Sequence, residues 1–171
     1  MDFFEVLEKR HSTRSFKEKM VEEEKLIKLL KAINSAPSAG NIQSYKIFIA
    51  RKQELKEKLS SAALSQTAIL QAPVVLVFCA DTKASASKYG SKGELLYCIQ
   101  DASIAAAYCQ LAATALGLST VWIGAFNEKE TGKVFGIPGH LKPIALIPLG
   151  YASGTLFKSR RKKIEEIVEE K

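Results

Sequence analysis

The chain has 171 residues, 47% of them hydrophobic and 25% charged, with a net charge of +7 at pH 7. That length suits a single domain spanning residues 1–171 with a real core, and no stretch nears the ~18 uninterrupted apolar residues of a membrane span. Asp2, Glu5 and Glu8 make an acidic start, unlike the basic, then apolar, opening of a signal peptide, so a cytoplasmic protein is expected.

"MDFFEVLEKR" opens the chain and predicts a short helix with Phe3, Phe4, Val6 and Leu7 largely on one side. It runs into "RHSTRSF", residues 10–16, which gathers Arg10, His11, Ser12 and Arg14 within five positions. A second helix is expected over 22–34, where Leu26, Ile27, Leu30 and Ile33 share a helical face. "APSAGNIQSYK", 36–46, is a connection rich in turn formers. It leads into the alternating strand "YKIFIAR" and then a charged helix from about Lys52 to Ala63. "PVVLVFCA", 73–80, reads as a central strand covered on both faces.

The longest predicted element runs from about Glu94 to Leu116 and stops at Gly117, a natural C-terminal cap. It is apolar nearly all round. Such a helix needs cover on most sides, either as the central helix of one chain or against a second subunit. "STVWIGA", 119–125, predicts a strand entering a loop, and "EKETGKVFGIP" a short helix ending at Gly136. "KPIALIPLGYA", 142–152, predicts another strand, with Pro148 pointing to a bulge or an edge. A charged helix, "KIEEIVEEK", is expected last, beyond a polar, basic stretch from Ser153 to Lys163 that leaves the domain body. The fold class is α+β, a central mixed, mainly antiparallel sheet flanked by helices.

Cys79, Cys98 and Cys109 are odd in number and lack a C-x-x-C pair, which excludes a disulfide framework or zinc site and predicts buried, inert thiols. The charge excess raises nucleic acid as a partner, but it is scattered except at "KSRRKK", 158–163, and no helix-turn-helix, zinc finger or RNA-binding aromatic motif surrounds that run. A bound anion explains it equally well. Arg10 and Arg14 can fork onto phosphate oxygens with Ser12 beside them. Small residues in 36–46 let a flat ligand approach the backbone, where Asn41 and Gln43 both donate and accept. Gly124 stands where backbone N–H groups are free to face a ligand. His140, in "GIPGHLK", reads as an exposed loop residue.

Taken in order, "RHSTRSF", "APSAGNIQSYKI", "LGLSTVWIGAFNEKETGKVFGIP", "PIALIPLGYASG" and the basic end with "KIEEIV" resemble the nitroreductase family over about residues 3–168. These are FMN-dependent NAD(P)H oxidoreductases, and the chain resembles their shorter members, without the inserted helices between the second strand and the long helix. The resemblance implies a homodimer with FMN at the subunit interface and residues 153–171 embracing the partner. It implies Arg10, His11 and Ser12 at the FMN phosphate and ribityl chain, and Arg14 at N1 and O2 of the flavin. Ser38, Asn41 and, less directly, Gln43 would come from the partner. Ser65 or Gln66 would meet the pyrimidine edge, Gly124 and Ala125 would donate backbone N–H groups to N5 and O4, and Lys158 and Arg160 would clamp the phosphate. "QSY" stands where the family usually has Gln-Pro-Trp, which leaves the pocket wall open. The implied activity passes electrons from NADH or NADPH to nitroaromatic, quinone or related conjugated acceptors by ping-pong kinetics, with no protein nucleophile. No G-x-G-x-x-G motif chooses between the two nucleotides. Other FMN chemistry (dehalogenation, enone reduction, flavin cleavage), a flavin carrier, and a basic nucleic-acid-binding protein are the alternatives.

Overall fold

The computed structural model describes residues 1–154 and 159–171. In chain order the elements are α1 (Phe3–Lys9), α2 (Glu23–Asn34), β1 (Tyr45–Ala50), α3 (Gln53–Ala62), α4 (Thr67–Gln71), β2 (Val74–Asp81), α5 (Thr82–Lys92), α6 (Cys98–Ala115), β3 (Ser119–Thr120), α7 (Glu128–Phe135) and β4 (Leu141–Gly150). The strands lie in the order β1-β2-β4-β3 and every ladder is antiparallel. Among the described residues the one parallel contact is an isolated bridge between Ser12 and Thr120.

β2 explains the layering. Its alternate residues Val74, Leu76 and Phe78 enter a core with α2 and α6, while Val75, Val77 and Cys79 enter another with α3, α4 and α7. The sheet is thus covered on both faces, as the unbroken apolar run predicts. Cys79, Cys98 and Cys109 are buried and free, and burial pushes the Cys79 thiol up to about 12 and raises the other two.

Several expectations change in detail. The buried stripe of α2 is Leu26, Leu29 and Ile33; Ile27 faces out and Leu30 only joins the core's margin. The long helix begins with a π-helical turn, Gly93–Tyr97, before α6. α5 fills the connection ahead of it, a segment of Ser, Ala and Lys with no apolar stripe to announce a helix. β3 is two residues long, although Ile123 still exchanges both backbone bonds with Leu146. Pro148 lies in β4, an interior strand, rather than at an edge, and the register shift falls opposite Phe78 and Cys79 instead. The expected terminal helix is a single 3-10 turn, Ile164–Glu166, because Ile164, Ile167 and Val168 find nothing to pack against. α6 is buried along one face only: Ile99 and Tyr108 stay exposed, as do Leu95 and Leu96 before it and Phe3, Phe4 and Leu7 on the neighbouring α1. One chain alone does not cover this helix.

Candidate flavin and nucleotide site

α1 is fixed at its start by a reciprocal cap, Glu5 N donating to Asp2 Oδ1 (2.9 Å) and Asp2 N to Glu5 Oε2 (3.1 Å). It ends at Arg10, and the chain then runs extended along both late strands. Thr13 N donates to Thr120 O (2.9 Å), Lys17 N to Tyr151 O (2.8 Å) and Ser153 N to Ser15 O (2.9 Å). These bonds hold "RHSTR" against the sheet. His11 is engaged within its own segment, its Nδ1 2.7 Å from Lys9 O and its Nε2 3.0 Å from Thr13 Oγ1. The carbonyl can only accept, so Nδ1–H donates to it, and Nε2 pairs with the hydroxyl. His11 braces the turn rather than reaching outward.

Arg10, His11 and Ser12 line a cavity of about 320 Å³ together with Leu7, Glu8, Ser159 and Arg161. The two ends of the polypeptide therefore meet there. Burial, and then the neighbouring Arg161, hold the Arg10 guanidinium below its ordinary value. Among the described residues neither arginine has an ion pair. Two cations that raise each other's energy are what an anion would relieve. Arg14 is exposed, and Arg160 is exposed and not a wall of the cavity. Lys158 lies outside the described residues.

The second group sits between α2 and β1. Gly40, Asn41 and Gln43 all have left-handed backbones, with φ of 54°, 56° and 53°. For Asn41 and Gln43 that conformation is costly and must be imposed by surroundings. Asp101 of α6 imposes it: only 2% exposed, it accepts from Ala39 N (2.8 Å) and from Ser44 Oγ (2.5 Å), gripping the loop at both ends. Inside the loop Ser38 Oγ accepts from Gln43 N (2.9 Å), and Gln43 Nε2 donates back to Asn34 O (3.1 Å). Ser38 and Gln43 are thus committed to shaping the loop, and Asn41 is left exposed at its tip. None of the three lines the cavity of Arg10.

Ser65 follows Leu64 in a second left-handed pair, φ 57° and 56°, and both are exposed. Gln66 is half-buried at the start of α4. Gly124 and Ala125 are exposed just past the Ile123 rung, and among the described residues their N–H groups donate to nothing. His140 is exposed in its loop.

Residues 7–151 match the sequence profile of the Nitroreductase family. The chain belongs to that family. A protein of Methanothermobacter thermautotrophicus, named provisionally as an NADH dehydrogenase/NAD(P)H nitroreductase, is 33% identical to this chain over 155 residues, covering 88% of this chain and 78% of its own length. An FMN reductase [NAD(P)H] of Bacillus subtilis is 32% identical over 163 residues, covering 88% of this chain and 66% of its own. The solved structure of a nitroreductase family protein from Clostridium novyi superposes with a TM-score of 0.81 at 30% identity, over 90% of this chain and 86% of that one.

Three residues of the candidate site are not legible as such in the sequence. Asp101 is the one acidic residue within α6, and a lone carboxylate in so apolar a helix is a usable signal. Thr13, 4% exposed, is a brace whose partner is visible only in three dimensions. Arg161 is one of several cations in a run, and nothing in the run's composition selects it.

Proposed function

We propose that this protein is an FMN-dependent oxidoreductase that takes electrons from NADH or NADPH and passes them to nitroaromatic, quinone or related conjugated acceptors, in ping-pong order. The observation that carries the reading is the pair of guanidiniums, Arg10 and Arg161, which share one cavity beside Ser12 and form no ion pair among the described residues. The FMN phosphate suits them in charge and in donor geometry, and the relatives named for FMN and NAD(P)H support it.

Bound FMN would supply two-electron acceptance from the nicotinamide and donation to the acceptor. This chain's residues supply the rest. Arg10 and Arg161 neutralise the phosphate, joined by Lys158 and Arg160 from the basic end, Ser12 donates a hydrogen bond to it, and His11 holds the turn that presents them. Arg14 brings positive charge to the pyrimidine edge, which favours the anionic reduced form, and Ser65 or Gln66 adds a polar contact there. The unused N–H groups of Gly124 and Ala125 donate to the ring edge. No side chain acts as nucleophile.

The site is completed by a second copy. Ser38, Asn41 and Gln43 lie away from the Arg10 cavity, and the exposed apolar face of α1 and α6 is suited to bury against its own image. Residues 153–171 embrace the partner. Light scattering should give a dimer. Purified protein should be yellow and release one FMN per chain on denaturation, and anaerobic NADH or NADPH should bleach it. A colourless monomer that ignores added FMN refutes the reading, and a yellow protein that neither nucleotide bleaches is a carrier.

A further inference from the structure

The basic terminus accounts for only part of the charge excess. α5 carries Lys83, Lys88 and Lys92 and no acidic residue. Among the described residues none of the three has an ion pair. The backbone below them is irregular in a way that gathers aromatic rings. Gly90 adopts φ 55°, ψ −143°, a conformation closed to side chains, and the π-helical turn Gly93–Tyr97 follows. Gly93 is pressed so close to α5 that a Cβ there would lie 2.4 Å from Ser85 O. This fold-back brings Tyr89 and Tyr97 edge to face at 5.1 Å, with Lys88 Nζ 5.6 Å from the Tyr89 ring centre and Lys92 Nζ 5.4 Å from that of Tyr97. The patch abuts the 38–43 loop: a Cβ on Gly40 would meet Tyr89 Oη at 2.4 Å and Lys88 Nζ at 2.5 Å.

We propose that Lys88, Tyr89, Lys92 and Tyr97 form the subsite for the adenosine diphosphate half of the NAD(P)H donor. The inference rests on the function proposed above, in which the 38–43 loop borders a flavin. A dinucleotide whose nicotinamide reaches that flavin must lay its diphosphate and adenine on the surface beside the loop. Ammonium groups suit the diphosphate and the tyrosine faces suit the base. The chain has no G-x-G-x-x-G loop to do this work. A patch built from two helix-end lysines is solvent-screened, so its contribution is a moderate and salt-dependent one.

The test uses the FMN-loaded enzyme and the K88Q/K92Q variant. Steady-state kinetics should show the donor KM raised about tenfold, two screened contacts being lost. ADP should compete with the donor in the wild type and more weakly in the variant, and added salt should raise the wild-type KM toward the variant's. FMN per chain and the rate at which dithionite-reduced flavin is reoxidised by a quinone should hold. Y89L should also weaken ADP competition. A donor KM and ADP inhibition within twofold of wild type in K88Q/K92Q overturn the subsite while leaving the flavin function intact. A wild type that holds no FMN overturns the function itself, and the subsite with it.

Discussion

Replacing Asp101 tests how the 38–43 loop is held. Asp101→Ala strands two donors, Ala39 N–H and the Ser44 hydroxyl, which now point to carboxylate oxygens at 2.8 and 2.5 Å. Each stranded buried donor costs about 1–3 kcal/mol, and Ser44 is fully buried, so rehydration spares only the Ala39 amide. The sum is roughly 2–5 kcal/mol, or about 5–15 °C of melting temperature for a chain of this size. Asp101→Asn is the sharper control. Its amide oxygen still accepts from Ala39 N and its NH₂ can donate to Ser44 Oγ, so about 1 kcal/mol should be lost. Thermal and urea unfolding by circular dichroism give both values. The loop should feel the change as well. Without its two anchors the left-handed backbones of Asn41 and Gln43 relax, so Asp101→Ala should lose FMN at a concentration where Asp101→Asn retains it. Asp101→Ala within 1 kcal/mol of wild type, or Ala and Asn variants of equal stability, would refute the reasoning.

Arg10→Ala should weaken FMN binding by about 1.5–3 kcal/mol, roughly 10–150-fold in Kd by fluorescence titration, whereas Arg161→Ala should weaken FMN yet slightly raise the melting temperature of the FMN-free protein, because Arg161 opposes the charge on Arg10. Gly93→Ala places a methyl group 2.4 Å from Ser85 O and 2.7 Å from its carbonyl carbon, both backbone, so it should destabilise by more than about 2 kcal/mol in urea and displace α5; Gly132→Ala, where a Cβ meets nothing within 4 Å, should not. Glu22 accepts from Tyr151 Oη and sits beside Lys25 and Lys19, which holds its carboxyl down at about 2 against an ordinary 4.5. A depressed carboxylate stabilises above its unfolded pKa and stops doing so as pH falls through the folded one. Tyr151→Phe should therefore flatten the stability loss between pH 4.5 and 2, and an unchanged acid-unfolding slope would contradict that bond's role.

What the sequence reveals and what it hides follow from the same physics. β2 is legible because apolar continuity has one cheap explanation, burial, which β2 obeys on both faces, whereas α6 is legible as a helix although the chain buries only one of its faces. Gly136 is legible because a left-handed cap, φ 59°, suits few other residues. α5 is hidden because its stability comes from neighbours: Asp81 at the end of β2 caps it, accepting from Ala84 N at 2.9 Å, and the Gly93 fold-back packs it. The terminal segment errs the other way. "KIEEIV" has helical spacing, but spacing makes a helix only where its apolar side finds a surface, and Ile164 is 69% exposed in the single chain. The clusters of the candidate site are visible one at a time in the sequence, but that the Arg10 turn and the basic end share a cavity is not.

The shortness of β3 has a backbone cause in Pro148. The β3–β4 register pairs Ser119 with Gly150 and Thr120 with Leu149, and the bridge of Ile123 to Leu146 keeps the same offset. By alternation Leu146, Pro148 and Gly150 are the β4 residues whose backbone groups aim at this neighbour. Pro148 has no N–H to offer Val121, so the ladder breaks between two sound rungs and β3 ends at Thr120. The same alternation turns the backbone groups of Thr120 to the opposite edge. That is the edge where Thr120 O receives the Thr13 N–H, and so where Arg10, Ser12 and Arg14 are held. A strand cut short at an interior proline thus carries on its outer edge a turn from the opposite end of the chain, the one that bears Arg10, Ser12 and Arg14.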